Sequence, residues 1–213
     1  MKHLKLINLN KRQDRKVIHM TQEIEIEFKN MLTKVQYEAL LQHFHIQPEQ
    51  IKYQVNHYFD TKSWHLKQLM SGLRIRQIGN HFECTLKEKT TDNAHLETTD
   101  FLTYEQAEHL LNGASFSTPS VLKRLEALNI PIDELKLFGS LATNRVELNY
   151  KGGILVFDHS IYMEQNDYEV EYEVTDEATG QIIFNEFLAT HQIAKISAPK
   201  KIARFMNALQ QKG

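Results

Sequence analysis

Six stretches of this chain alternate fully charged side chains with apolar ones at every second residue, and charges of both signs share one face. Glu25, Glu27 and Lys29 alternate with Ile24, Ile26 and Phe28, Arg145 and Glu147 with Val146 and Leu148, and Glu169, Glu171 and Glu173 with Tyr168, Val170 and Tyr172. Arg74 and Arg76, then Glu83, Lys87 and Lys89, and Asp158 fall in stretches of the same kind. A period of two is that of a β-strand, whose successive side chains point to opposite sides of the sheet. The pattern demands an antiparallel sheet with one apolar face and one face of ions.

Two architectures satisfy that demand. In the ordinary one the apolar face covers a core and the ions face water. In the other the sheet closes into a barrel, the apolar face turns outward beneath helices, and the ions line the lumen. Burying so many charges is offset only by a ligand with many negative oxygens together with a divalent cation, so polyphosphate with magnesium is the natural occupant. Carboxylates two residues apart on a strand, as in Glu25 with Glu27 or Glu169 with Glu171, point the same way about 6 to 7 Å apart and can converge on one ion or two neighbouring ions. Hard carboxylate oxygens select magnesium or manganese over zinc. Arg74 and Arg76, at the same spacing, can fork onto phosphate oxygens.

The remaining sequence supplies the other strands and the helices. Strand one is expected from about Thr21 to Lys29, a helix from Thr33 to Phe44, and a second strand from Lys52 to Asp60. Leu73 to Ile78 and His81 to Lys89 are joined by Gly79-Asn80, which supplies the positive φ of a hairpin turn. A strand from Leu96 to Leu102 leads into a capping box, Thr103 with Gln106, and a helix ending near Gly113. Ser117-Thr118-Pro119 opens another helix, to about Leu128. Three strands follow at about Leu137–Tyr150, Ile154–His159 and Tyr168–Val174, the first two joined at Lys151-Gly152-Gly153, and helices at about Ile182–Thr190 and Pro199–Gln210 close the chain. Trp64 is expected to pack at the end of a barrel. The total is one α+β domain built on a barrel or strongly curved sheet.

With 25 basic and 27 acidic residues the net charge is -2, so no whole-protein basic field for nucleic acid exists. Residues 1–19 carry +5 and read as a separate basic tail or an upstream start, with Met20 as the start of the domain at 20–213. The lone Cys84 offers neither a disulfide nor a zinc motif, and no apolar run is long enough for a membrane helix, which points to a cytoplasmic protein. The 11 histidines show no metal-binding spacing and are expected at the surface or satisfied in the core.

Glu25-Ile-Glu27-Phe-Lys29 resembles the ExExK motif of the CYTH superfamily, the triphosphate tunnel metalloenzymes. The same order continues in Tyr58-Phe59-Asp60-Thr61, Leu73-Arg74-Ile75-Arg76, Thr85-Leu86-Lys87, Arg145, Phe157-Asp158, Glu169-Val-Glu171 and Lys201-Ile-Ala-Arg204, so the likeness spans Met20 to Leu209. The resemblance implies an eight-stranded antiparallel β-barrel enclosing a triphosphate tunnel, flanked by helices, and use of Mg²⁺ or Mn²⁺. By motif position it implies Glu25, Glu27, Glu169, Glu171 and Glu97 as metal ligands. Lys29, Arg74, Arg76, Lys87, Arg145 and Lys201 would form the triphosphate cradle, with Lys200 beside Lys201 as a rival. Glu171, Asp158, Arg145 and Lys87 would act in catalysis, and Glu171, Glu169 or Asp158 would take any proton released. Lys89, Arg204, Glu83, Glu147 and Glu173 share the polar faces as lining or structural pairs. The implied activity is hydrolysis of inorganic tripolyphosphate or a small organic triphosphate such as thiamine triphosphate, by a monomer or homodimer. An adenylate cyclase releasing pyrophosphate, or a non-catalytic module binding polyphosphate or a nucleotide, stands beside it.

Overall fold

The strands with alternating charge form eight antiparallel members of one sheet: β1 (Met20–Leu32), β2 (Lys52–Asp60), β3 (Gly72–Ile78), β4 (His81–Lys89), β5 (Ala94–Leu102), β6 (Lys136–Tyr150), β7 (Gly153–Tyr162) and β8 (Gln165–Val174). The computed structural model describes residues 20–212, so the basic segment 1–19 lies outside the described residues. The sheet closes as a barrel in the order β1-β5-β4-β3-β2-β6-β7-β8. Among the described residues six α-helices accompany it: α1 (Lys34–His43), α2 (His65–Gln68), α3 (Tyr104–Leu111), α4 (Pro119–Ala127), α5 (Glu177–Thr190) and α6 (Lys201–Lys212).

The apolar faces of the strands point out of the barrel. Leu73, Ile75, Cys84 and Leu86 from β3 and β4 pack with Ala107 and Leu110 of α3 and Val121 and Leu125 of α4. On the other flank Phe28, Val146, Phe157, Val170 and Tyr172 pack with Tyr37 and Leu40 of α1 and Phe184, Phe187 and Leu188 of α5. These two clusters are the hydrophobic core, and it lies between sheet and helices. The lumen is left to the ions, which decides between the two architectures.

Local chemistry fixes the helices. Thr33 and Thr103 each close a capping box, with Gln36 and Gln106. Asp100 accepts from Ser120 N and Val121 N in the first turn of α4, tying that helix to β5. Asp60 accepts from Thr61 N, Leu66 N and Lys67 N, so this motif aspartate orders the turn into α2. Trp64 packs edge-on against Phe138, as an end-packing residue would.

Helix α6 is held against one end of the barrel. Phe205 packs in a small cluster with Tyr58, Leu141 and Tyr162 and covers Gly139, where an added Cβ would fall 2.3 Å from its ring. Only glycine permits that approach, which carries the start of α6 to the lumen.

The boundaries differ from the sequence expectation in three places. β1 runs on to Leu32 because its second half pairs with β8, as far as Leu32 with Tyr168. β7 and β8 form a hairpin reaching Tyr162 and Gln165, since Met163 and Glu164 adopt positive φ without the glycine or asparagine that announces such a turn. α5 begins at Glu177, where the Asp176 side chain accepts from Thr179 N.

Candidate active site

Alternation places the charged residues of β1, β3, β4, β5, β6 and β8 around a lumen cavity of about 430 Å³. Glu25, Glu27, Lys29, Arg74, Arg76, Lys87, Glu97, Arg145, Glu171 and Lys201 all line it. Glu83, Glu147, Glu173 and Lys200 line it as well. Asp158 and Glu169 do not: they lie behind the wall, 0% and 1% exposed. Lys89 pairs with Asp92, and Arg204 binds Asp167 and Glu169, so neither reaches the cavity.

Two nests of carboxylates, one in the lumen and one reaching from it into the wall behind, each grip a lysine ammonium. In the first, Lys87 Nζ donates to Glu25 and to Glu27 Oε1 at 2.8 Å, and lies 3.3 Å from Glu97 Oε1. Pairing of Lys87 with Glu97 across β4 and β5 brings these groups to one level. In the second, Lys201 Nζ meets Asp158 Oδ2 and Glu171 Oε1, both at 2.8 Å, and Glu169. Arg145 adds hydrogen bonds to Asp158 Oδ1 and Glu171 Oε2, both 2.9 Å, and Arg204 NH1 donates to Glu169 Oε2 at 2.8 Å. Lys29 bridges the nests, 2.9 Å from Glu27 Oε2 and 3.2 Å from Glu171 Oε1.

Burial and charge oppose each other throughout the site. Burial would raise the Asp158 carboxyl, yet Arg145 and Lys201 beside it hold it far below the usual range. Glu27 is likewise held low against its burial by Lys29 and Lys87. Glu25 goes the other way: burial lifts it despite Lys87, and Glu27 and Glu97 add to the rise. Glu173 is pushed up to about 7 by burial, against the pull of Arg145, with Glu171, Glu25 and Glu27 reinforcing the rise. Lys200 is brought down to about 8 by burial and by the charges of Lys87 and Lys29.

The basic wall is less satisfied. Arg74 makes no hydrogen bond or ion pair among the described residues, and its Nε is buried without a partner. Arg76 Nε donates to Asn56 Oδ1 at 3.1 Å, with Glu83 at 3.4 Å. Burial and the charges of Arg74 and Arg145 weigh on it, a strain that an incoming anion would relieve.

Several lining residues escape a search for charge. Gln54, Asn56 and Tyr58 of β2, Thr85, Thr99 and Phe101 all face the cavity. The β2 trio keeps the period of two, so phase rather than charge was the signal that marked them. His95 overturns the expectation for the histidines: it is 3% exposed, and neither ring nitrogen has a hydrogen-bond partner among the described residues. Burial, aided by the charges of Lys87 and Lys200, pushes its pKa down to about 4.

A closed eight-stranded barrel with its core outside and a lumen of paired acids and bases defines the class: a β-tunnel protein. The chain belongs to the CYTH domain family, whose profile matches residues 23–206. A Bacillus subtilis relative named "Putative triphosphatase YjbK" is 40% identical over 188 residues, spanning 87% of this chain and 96% of that protein. The solved structure of a Bacillus halodurans protein described as a "putative adenylate cyclase" is also 40% identical, with a TM-score of 0.83, covering 86% of this chain and 98% of that one. A Hippeastrum protein described as a "putative adenylyl cyclase" with a dominant triphosphatase activity shares the fold at a TM-score of 0.72 and 21% identity, over 86% of this chain and 95% of that one. No helix among the described residues is long and apolar enough to cross a membrane.

Proposed function

We propose that this protein is a divalent-metal-dependent triphosphatase, hydrolysing inorganic tripolyphosphate or a small organic triphosphate such as thiamine triphosphate inside the barrel. The observation that carries the reading is the uneven distribution of charge. Three carboxylates, Glu25, Glu27 and Glu97, share the Lys87 ammonium, while Arg74, its Nε buried, pairs with no acid among the described residues. One wall is short of cations and the other is short of anions. A triphosphate bound together with a divalent cation supplies both.

The carboxylates fit Mg²⁺ or Mn²⁺. Their oxygens are hard donors and already converge on a positive charge at Lys87. Glu25 and Glu27 would hold the ion, with Glu97 beside them and Glu171 across the Lys29 bridge. When bound, such an ion supplies Lewis acidity toward phosphoryl oxygens and acidifies water.

The chain's own groups bind and orient the substrate. Arg74 and Arg76 grip phosphate oxygens, and Lys29, Arg145 and Lys201 neutralise the charge that spreads over the transferred group. Lys87, on a flexible stem, exchanges carboxylate partners for phosphate oxygens. Of the three acids considered for proton acceptance, Glu171 lines the cavity, whereas Asp158 and Glu169 are locked to cations behind it. The site lies on one domain spanning residues 20–213, and the protein works as a soluble cytoplasmic monomer or homodimer.

The "putative adenylate cyclase" name of the Bacillus halodurans relative makes cyclisation of ATP the rival reading. Phosphorus NMR of products from tripolyphosphate, thiamine triphosphate and ATP, each with Mg²⁺ or Mn²⁺, separates the two. Orthophosphate from wild type and none from Glu27→Gln is the expected result. Cyclic AMP with pyrophosphate would move the assignment to a cyclase, and no turnover of any substrate would leave a binding module.

A further inference from the structure

We propose that His95 supplies a nitrogen ligand to the divalent cation at Glu25 and Glu27, so that the site is a mixed nitrogen and oxygen site tuned toward Mn²⁺. The inference rests on the metal-dependent reading above. In β5, His95 stands two residues before Glu97 and so shares its lumen-facing phase. It lies directly opposite Glu25 in the β1–β5 pairing. One ligand atom each from Glu25, Glu27 and His95 falls within 4.8 Å of the others, and His95 Nδ1 stands 3.7 Å from Glu27 Oε1.

The imidazole itself points to a ligand. At 3% exposure, with neither ring nitrogen bonded to any described group, it carries the full cost of a buried polar side chain left unsatisfied. An unengaged imidazole nitrogen beside two carboxylates is placed to donate its lone pair to a cation they share. The second acidic group, Asp158, Glu169 and Glu171, offers no such lone pair, because Lys201 and two arginines occupy its oxygens.

Access is also present. A second cavity, of about 460 Å³, reaches His95 and Glu27 from outside the lumen, past Asp92 and Asn93. An ion can therefore approach this corner without passing the substrate. Imidazole is a borderline donor that suits transition ions rather than Mg²⁺, so of the two ions a carboxylate site accepts it favours Mn²⁺, whereas carboxylates alone make little distinction.

Mn²⁺ is the probe, used on the full chain without a histidine tag. Loss of the free-ion electron paramagnetic resonance signal measures binding, and pulsed spectra report nitrogen coupled to the bound ion. Wild type should bind Mn²⁺ with ¹⁴N modulation that changes when its histidines are labelled with ¹⁵N. His95→Gln should lose the modulation and bind Mn²⁺ about tenfold or more weakly, with a smaller change for Mg²⁺. His95→Asn provides a second variant, and an unchanged melting temperature in chelator shows that each variant is folded. Mn²⁺ bound to wild type without nitrogen modulation would overturn the inference while leaving the metal-dependent reading intact. Retention of modulation and affinity in both variants would do the same, and failure of wild type to bind Mn²⁺ would overturn both.

Discussion

The two carboxylate nests use the same residue types on the same barrel, yet one is built to open and the other to stay shut. At and behind the lumen wall Asp158, Asp167, Glu169 and Glu171 meet Arg145, Lys201, Arg204 and the shared Lys29, four acids against four bases. Glu25, Glu27 and Glu97 have Lys87 and, at Glu27, a share of Lys29, three acids against fewer than two bases. A balanced, fully hydrogen-bonded nest gains nothing from a further cation. An unbalanced one keeps excess negative charge in a poorly hydrated space and gains strongly from a divalent ion. What separates a binding site from a structural network here is the ratio of cations to anions. That ratio is set by α6, whose Lys201 and Arg204 pair with acids of the second nest and not of the first.

The sharpest break between the nests is predicted from one neutralising substitution in each. Glu27→Gln should lower turnover about 10³-fold, in the range seen when a group that stabilises developing charge is removed. Its loss of stability should be smaller than that of Asp158→Asn, because Glu25 and Glu97 remain to pair with Lys87. Asp158→Asn should do the reverse, losing about 3 kcal/mol of stability as Arg145 and Lys201 are left short of an anion. Phosphate release and urea unfolding on both variants test the pair. A stable but inactive Asp158→Asn would erase the distinction between the nests.

Arg74→Ala should come next. Because Arg74 bonds to nothing among the described residues, its loss should leave stability within about 0.5 kcal/mol of wild type. It should reduce kcat/KM roughly 10²-fold, a loss of a charge-assisted phosphate contact. Steady-state kinetics would show the change, and an equal loss of stability would mean that Arg74 serves the fold instead. A smaller effect is predicted at Gly139→Ala, where the new Cβ meets Phe205 and lifts α6 from the barrel. Overpacking there should cost about 1 to 3 kcal/mol and loosen the closed nest first. Faster amide exchange at Lys201 to Arg204 than at Glu25 to Lys29 is the expected signature.

The sequence made the barrel legible because the period of two survives in every strand and the lumen needs ions of both signs. It did not reveal which face turns inward, since a solvated sheet carries the same alternation along each strand. That choice is made by α1, α3, α4 and α5, whose apolar faces need the outer side of the sheet. The difference between Glu169 and Glu25 was equally hidden. Both are strand glutamates two residues from another, and only the arrival of Lys201 and Arg204 from a distant helix seals the first. Gln54, Asn56, Tyr58 and Thr85 lack charge and so left no signal in a pattern defined by it. His95 sits two residues before Glu97 in phase, a relation visible in the sequence once strand direction rather than metal-motif spacing is used.

The smallest predicted effect is a difference in the sign of pH dependence. Asp158 has its native pKa depressed below the ordinary 3.8, so the stability it provides is present above that value and is lost as pH falls through the native one. Glu173, beside the open nest, has its native pKa raised from 4.5 to about 7. Between those two values the folded protein keeps a proton that the unfolded chain has released, so stability declines as pH rises across the window and levels off above it. Denaturation in chelator at a series of pH values should therefore show a loss on the acid side and a separate, gentler loss approaching neutrality. Glu173→Gln should remove only the second, and Asp158→Asn should flatten only the first. If Glu173→Gln left the neutral limb unchanged, the burial and the neighbouring carboxylates Glu171, Glu25 and Glu27 would not raise Glu173 in the native protein, and the contrast would shrink to Glu25, Glu27 and Glu97 themselves.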